Sequence, residues 1–172
     1  ECADLFAHLW RHAVLTGFFT KEIARARRRN VEVAFLCGLL HDVGKAVLLT
    51  NVERYVRAGQ VSLTEIAEAL QTHHTTVGSV LARGWRMPDQ IVECIEFHHE
   101  FEKAKAYQEA AMTVCLADML AHVVSPTSGT EPLTVEALRL HPVLQSLNLY
   151  GDQLDALLAK SDKARELAEG MA

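Results

Sequence analysis

The chain contains no Cys-x-x-Cys pair, no glycine-rich phosphate loop, no alternating apolar pattern of the strand type and no low-complexity linker. Each absence removes a class of function. Without paired cysteines a thiolate metal site is disfavoured. Cys2, Cys37, Cys94 and Cys115 stand apart, three of them inside apolar stretches such as Phe35-Leu36-Cys37 and Val114-Cys115-Leu116. They read as small buried hydrophobes in a reducing cytoplasm. Without a phosphate loop or a base-stacking motif, nothing narrows a nucleotide ligand. No apolar run approaches a membrane span, and no charged-then-apolar leader precedes a cleavage site, so no membrane partner is expected. The numbering opens on Glu1 and not Met, as an excised or processed fragment would. A net charge of −5 disfavours broad nucleic-acid binding. The basic cluster Arg25, Arg27, Arg28 and Arg29 is the exception, and it reads as a solvated helix end favoured by the helix dipole.

What is present is helical spacing. With 172 residues, 49% of them hydrophobic, the chain can bury a core of its own. The apolar period predicts helices over about Leu5 to Arg28 and about Val31 to Thr50, the second apolar enough to be central. Ser62-Leu63-Thr64-Glu65 has capping-box spacing and predicts a helix to about Thr72, followed by another from Thr75 to Trp85. Pro88 fits a first helical position, opening a helix that ends near His98-His99. Ala106 to Val124 follows, closed by the loop Ser125-Pro126-Thr127-Ser128-Gly129. A turn-rich segment with Pro132 and Pro142 then precedes a helix from about Gln153 to Leu167. The expectation is one all-α domain over residues 1–172, a helical bundle with a motif-bearing core at about 5–122 and a helical extension at about 130–172.

Seven side chains of metal-ligand type lie along this pattern: His12, His41, Asp42, His74, His98, His99 and Asp118. Imidazole nitrogens and carboxylate oxygens bind divalent transition metals, and an aspartate can bridge two. His41-Asp42 follows the apolar run Phe35-Leu36-Cys37-Gly38-Leu39-Leu40, where a polar pair costs stability unless hydrogen-bonded, charge-paired or metal-bound. Neighbours on a helix point about 100° apart, so both reach one ion only if the helix ends or distorts, a freedom that Gly44 offers. Asp118 sits between Leu116-Ala117 and Met119-Leu120 with no basic neighbour, though His122 is one turn away. Taken singly, His12 reads as a boundary histidine and His98-His99 as a polar helix terminus. Jointly, four helices each offer such residues among apolar neighbours, and a bundle gathers inward-facing residues into one site.

The segment Phe35 to Lys45, with its His41-Asp42-Val43-Gly44-Lys45 core, resembles the signature of the HD superfamily of metal-dependent phosphohydrolases. Leu9-Trp10-Arg11-His12, His74-Thr75-Thr76-Val77-Gly78, Trp85-Arg86-Met87-Pro88 and Ile95-Glu96-Phe97-His98-His99 resemble motifs of its bacterial signalling branch, the HDOD domains. The resemblance implies that His12, His41, Asp42 and Asp118 form the single-metal set. It adds His74, His98 and His99 as ligands of a second ion, with Asp42 as the bridge. Lys45 either contacts phosphate or pairs with Asp42. Every ligand position is kept, unlike in many HDOD domains, and the helical half that precedes the first motif in that branch is not among these residues. No Gly-Tyr-Pro follows His98-His99-Glu100, which disfavours the cyclic-di-GMP hydrolysis of the HD-GYP branch.

Two functions follow from the resemblance. One is hydrolysis of a nucleotide or other phosphoester, with Asp42 and Lys45 in the catalytic machinery and one or two divalent ions as cofactor. Nitrogen and oxygen donors favour iron or manganese and leave zinc, magnesium and nickel open. The other is a signalling output or scaffold module, partnered by other signalling domains or proteins, whose metal is structural or sensory. His8, His73 and His122 read as second-line or surface residues, and His141 as structural or solvated.

Overall fold

A computed structural model of the chain describes residues 2–126 and 132–171. The first helix, α1 (Cys2–Ala26), ends where Arg28 adopts a left-handed φ of 56°, with Arg29 N–H donating to the Ala24 carbonyl. Its last turn is not merely solvated, as the sequence suggests. Arg27 donates to Glu109 (2.9 Å) and to the Leu147 carbonyl (2.7 Å), and Arg29 donates to Glu109 (2.6 Å). The basic cluster therefore ties the end of α1 to the start of α6 and to the C-terminal segment.

Asn30 caps α2 (Val31–Leu40) by accepting from the Glu32 and Val33 amides. The single helix expected over Val31 to Thr50 is two: α2 stops at Leu40, His41 and Asp42 form a turn, and α3 (Val43–Arg57) begins directly after it. Residues 31–52 are long and apolar enough to cross a membrane, their most apolar 18-residue window having a mean hydropathy of 1.6, which corrects the expectation that no run approaches that length. Here the stretch is broken at His41-Asp42, with α2 packed on α1 and α3 on α4.

The Ser62–Glu65 capping box opens α4, as its spacing predicts. The two helices expected from Ser62 to Trp85 are one continuous α4 (Leu63–Gly84), because nothing between Thr72 and Thr75 breaks the backbone. Pro88 is the residue before α5 (Asp89–Phe97) and not its first residue. A 3-10 turn at Phe101–Lys103 leads to α6 (Gln108–Val124). The turn-rich segment holds two short helices, α7 (Val135–Leu140) and α8 (Pro142–Ser146), the second opened by Pro142 with His141 as its cap. The last expected helix divides at Ala159-Lys160 into α9 (Gly151–Leu158) and α10 (Ser161–Gly170). No strand occurs among the described residues, and the fold class is all-α as expected. The loop expected at Ser125 to Gly129 lies partly outside the described residues, as does the Cys2 side chain.

Packing divides into two clusters. The larger joins α1 and α6 to α7–α10 through Phe19, Leu116, Leu120, Leu138, Leu147 and Leu154, all essentially inaccessible. Full burial of a leucine or phenylalanine contributes about 1.5–3 kcal/mol. The smaller joins α2, α4, α5 and α6 through Cys37, Ala82, Ile91, Val92, Cys94, Ile95 and Val114. Glycines let two pairs of helices touch backbone to backbone. A Cβ on Gly38 of α2 would fall 2.8 Å from Gly17 Cα of α1, and one on Gly44 of α3 would fall 2.7 Å from Gly78 N of α4, colliding also with the His74 carbonyl. Gly44 is thus an approach point between helices rather than a source of backbone freedom.

Candidate metal centre

The break between α2 and α3 lets adjacent residues converge. His41 closes α2 in a helical conformation and is fully buried, and Asp42 follows it at 6% exposure. His12 comes from the middle of α1, Asp118 from α6, His74 from α4, and His98 from the C-terminal cap of α5. All six are buried, whereas His99 is exposed. The seven residues singled out in the sequence are brought together in one place.

Asp42 lies at the middle. Its Oδ1 is 3.3 Å from His74 Nε2 and 3.9 Å from His98 Nε2. Its Oδ2 is 2.6 Å from Lys45 Nζ, 3.3 Å from His41 Nε2 and 3.9 Å from His12 Nε2. Asp118 Oδ1 is 2.8 Å from His12 Nε2 and 3.6 Å from His41 Nε2. On the far side, His74 Nε2 is 3.4 Å from His98 Nε2 and 3.2 Å from His99 Nε2.

The backbone decides which nitrogen each ring presents. His41 Nδ1 lies 2.7 Å from the Gly38 carbonyl, His74 Nδ1 2.8 Å from that of Leu70, and His98 Nδ1 3.0 Å from that of Ile95. A carbonyl only accepts, so each Nδ1 carries the hydrogen and each Nε2 turns inward, as a lone pair on the neutral rings of His74 and His98 and as an N–H on His41 while it holds a second proton. His74 and His98 therefore face one another with lone pair toward lone pair, which no hydrogen bond can join. Among the described residues, His41 Nε2 and Asp42 Oδ1 are buried side-chain atoms with no hydrogen-bond partner at all. Such atoms are expensive unless something satisfies them. A cation does so for both the facing lone pairs and the orphaned atoms. Metal–nitrogen bonds of about 2.1 Å put neighbouring donors about 3.0–3.4 Å apart around one ion, the spacing found here. The residues fit a divalent metal.

Charge agrees with this. Burial opposes ionisation of Asp42 and Asp118, yet His41 and Lys45 hold the first, and His12 and His41 the second, well below the usual carboxylate range. Burial pushes His41 down, but Asp42 and Asp118 outweigh it and carry the ring up to about 10. In the ion-free protein a proton on His41 balances the two carboxylates. Burial instead lowers His74 to about 4 and also lowers His98 and His99, which leaves those rings neutral near pH 7.

Three triplets have donor atoms that all lie within 4.8 Å of one another: His74-His98-His99, His12-His41-Asp42 and His12-Asp118-His122. His122, read in the sequence as a residue of second rank, belongs to the third. Its position four residues after Asp118 on α6 is the signal that pointed to it. The supporting carbonyls carry no sequence signal. His73 is exposed beside His74, and His141 caps α8 by accepting from the Val143 amide at 3.2 Å. Lys45 pairs with Asp42, one of the two alternatives open to it. A cavity of about 380 Å³ between α1, α2 and α6, lined by Thr20, Ala24, Cys37 and Thr113, contains none of the seven residues.

Known proteins give the arrangement a family. A protein of Treponema pallidum without an assigned function is 30% identical over 126 residues, 64% of this chain and 24% of that protein. Ribonuclease Y of Aquifex aeolicus is 30% identical over 137 residues, 80% of this chain and 20% of that enzyme. The chain thus spans about a quarter or less of these relatives. Two solved structures share the fold. A Shewanella amazonensis protein provisionally designated a phosphohydrolase has a TM-score of 0.66 at 20% identity, covering 96% of this chain and 64% of that one. A Marinobacter aquaeolei protein provisionally designated a signal-transduction protein has a TM-score of 0.65 at 21% identity, covering 94% and 38%. The HDOD domain matches residues 1–101, more than half of the sequence, and the chain belongs to the HDOD domain family.

Proposed function

We propose that this domain is a metal-dependent hydrolase of a nucleotide or other phosphoester. The observation that carries the reading is the pair of buried, partnerless atoms, His41 Nε2 and Asp42 Oδ1, inside a shell of inward-turned imidazoles. His12, His41, Asp42 and Asp118 would hold one ion, and His74, His98 and His99 a second beside the other oxygen of Asp42. Divalent ions there would supply a Lewis acid and an acidified water.

The chain's own residues have distinct tasks. Gly38, Leu70 and Ile95 carbonyls fix the rings by their Nδ1–H groups, so the donor atoms are aimed before any ligand arrives. Asp42, between the two groups, couples them. Lys45 holds Asp42 Oδ2 at 2.6 Å with one N–H and keeps two more donors for a phosphoryl oxygen. His99 is the exposed member of the His74-His98-His99 group. Iron or manganese suits the all-nitrogen-and-oxygen donor set best. Similarity to ribonuclease Y supports a phosphodiester, while the net charge of −5 favours a small one over a polynucleotide.

The test is hydrolysis of bis-p-nitrophenyl phosphate and a panel of nucleotides by manganese- or iron-loaded protein. Turnover that disappears in Asp42→Ala is expected. Stoichiometric metal with no turnover on any phosphoester would contradict hydrolysis and leave the domain a signalling module with a structural or sensory ion.

A further inference from the structure

Asp118 Oδ1 is more crowded than the family's ligand set requires. Three imidazole Nε2 atoms surround this single oxygen: His12 at 2.8 Å, His122 at 3.4 Å and His41 at 3.6 Å. The oxygen has two lone pairs, and at 3.4 Å His122 is beyond the usual N–H···O distance. The His12 and His122 rings also lie 4.5 Å apart between centroids, inclined by 37°, so both turn their edges to the same point. A cation reconciles the three nitrogens with the carboxylate, because each then donates a lone pair to it and none needs a proton for another. The 3.4 Å spacing is that of two donors on one ion with bonds of about 2.1 Å.

Exposure differs in an informative way. The side chains of His12, His41 and Asp118 are 5%, 0% and 10% exposed, whereas that of His122 is 37% exposed. His122 therefore stands on the solvent side of the group, where a water or an ester must arrive. We propose that His122 is a further ligand of the ion held by His12, His41, Asp42 and Asp118, closing its solvent-facing side. Its place on α6 is set by Asp118 one turn earlier, so one helix supplies a buried anchor and an exposed, exchangeable donor. An incoming phosphoester competes with this ring for the same position. The inference rests on the metal reading above, and its test separates the two.

The experiment uses protein labelled with nitrogen-15 in its histidine rings, recorded by long-range proton–nitrogen NMR with and without zinc. The ring signals missing from His122→Gln identify His122 in the wild-type spectrum, and exposed His73, assigned through His73→Gln, serves as the internal control. The expected result is that zinc moves His122 Nε2 to the metal-bound position together with His12 and His41, and that His73 stays in place. Movement of His12 and His41 while His122 remains fixed would overturn the proposal and leave the metal reading intact. No movement of any ring would overturn both.

Discussion

Two regions of this bundle are stabilised by opposite means. The C-terminal layer, α7–α10, docks on α1 and α6 through leucines and alanines, and among the described residues no buried polar or charged side chain lies beyond Asp118. The other region places His12, His41, Asp42, His74, His98 and Asp118 out of water together, between residues of both apolar clusters. Apolar burial is non-directional and tolerant of the exact partner. Buried imidazoles and carboxylates are costly unless each atom is satisfied. On the metal reading proposed above, the first region holds whatever the solution contains, whereas the stability of the second is linked to its ion.

This contrast can be broken from either side. The largest effect is expected from Asp42→Ala, which removes the residue between both donor groups. Metal content measured by elemental analysis should fall to background and hydrolysis should be abolished, while the helical circular-dichroism spectrum persists. Leu154→Ala in the apolar layer should do the reverse. Chemical denaturation should show a loss of about 2–5 kcal/mol, with metal content per folded chain unchanged. Gly44→Ala forces α3 away from α4 at the His74 carbonyl. It should cost the His74-His98-His99 position while sparing the other, so that metal content falls by about half. A variant with normal metal content would show that the close approach does not position His74.

A smaller effect concerns protons. The His74 pKa is lowered to about 4 from an ordinary 6.5, so folding favours its neutral form. The stability tied to that neutrality is fully present above pH 6.5 and is lost as pH falls toward 4. His41, raised to about 10, behaves oppositely: its contribution is complete below pH 6.5 and is lost as pH rises toward 10. The melting temperature of chelator-treated protein should therefore decline on both sides of neutrality. Bound ions replace the His41 proton, so metal affinity should rise with pH up to about 10. An affinity independent of pH would mean that His41 is not a ligand.

The sequence pattern carries the helices and the seven ligand-type residues because each has a local signature. The capping box at Ser62 and the apolar period are short-range facts, and His41-Asp42 declares itself by being polar after six largely apolar residues. What escaped depends on tertiary contact. The α2–α3 break falls at His41-Asp42, a turn inside a stretch whose sequence reads as one helix. Helix α4 is continuous because no residue interrupts it, where two helices meeting between Thr72 and Thr75 were expected. Gly44 looked like backbone freedom and is an inter-helix contact, which only the position of α4 reveals. Arg27 and Arg29 looked solvated and find Glu109 some eighty residues on. The carbonyls that fix the histidine tautomers are invisible in any sequence, because every residue has one.

The central claim is that the partnerless donor atoms His41 Nε2 and Asp42 Oδ1 are completed by metal. Elemental analysis of chain purified without chelator or a metal-affinity tag, compared with the double variant His41→Ala/Asp42→Ala, tests it most directly. About two ions per chain in the wild type, absent from the variant, is the predicted result. A wild type that stays metal-free after anaerobic incubation with iron and with manganese would contradict the account.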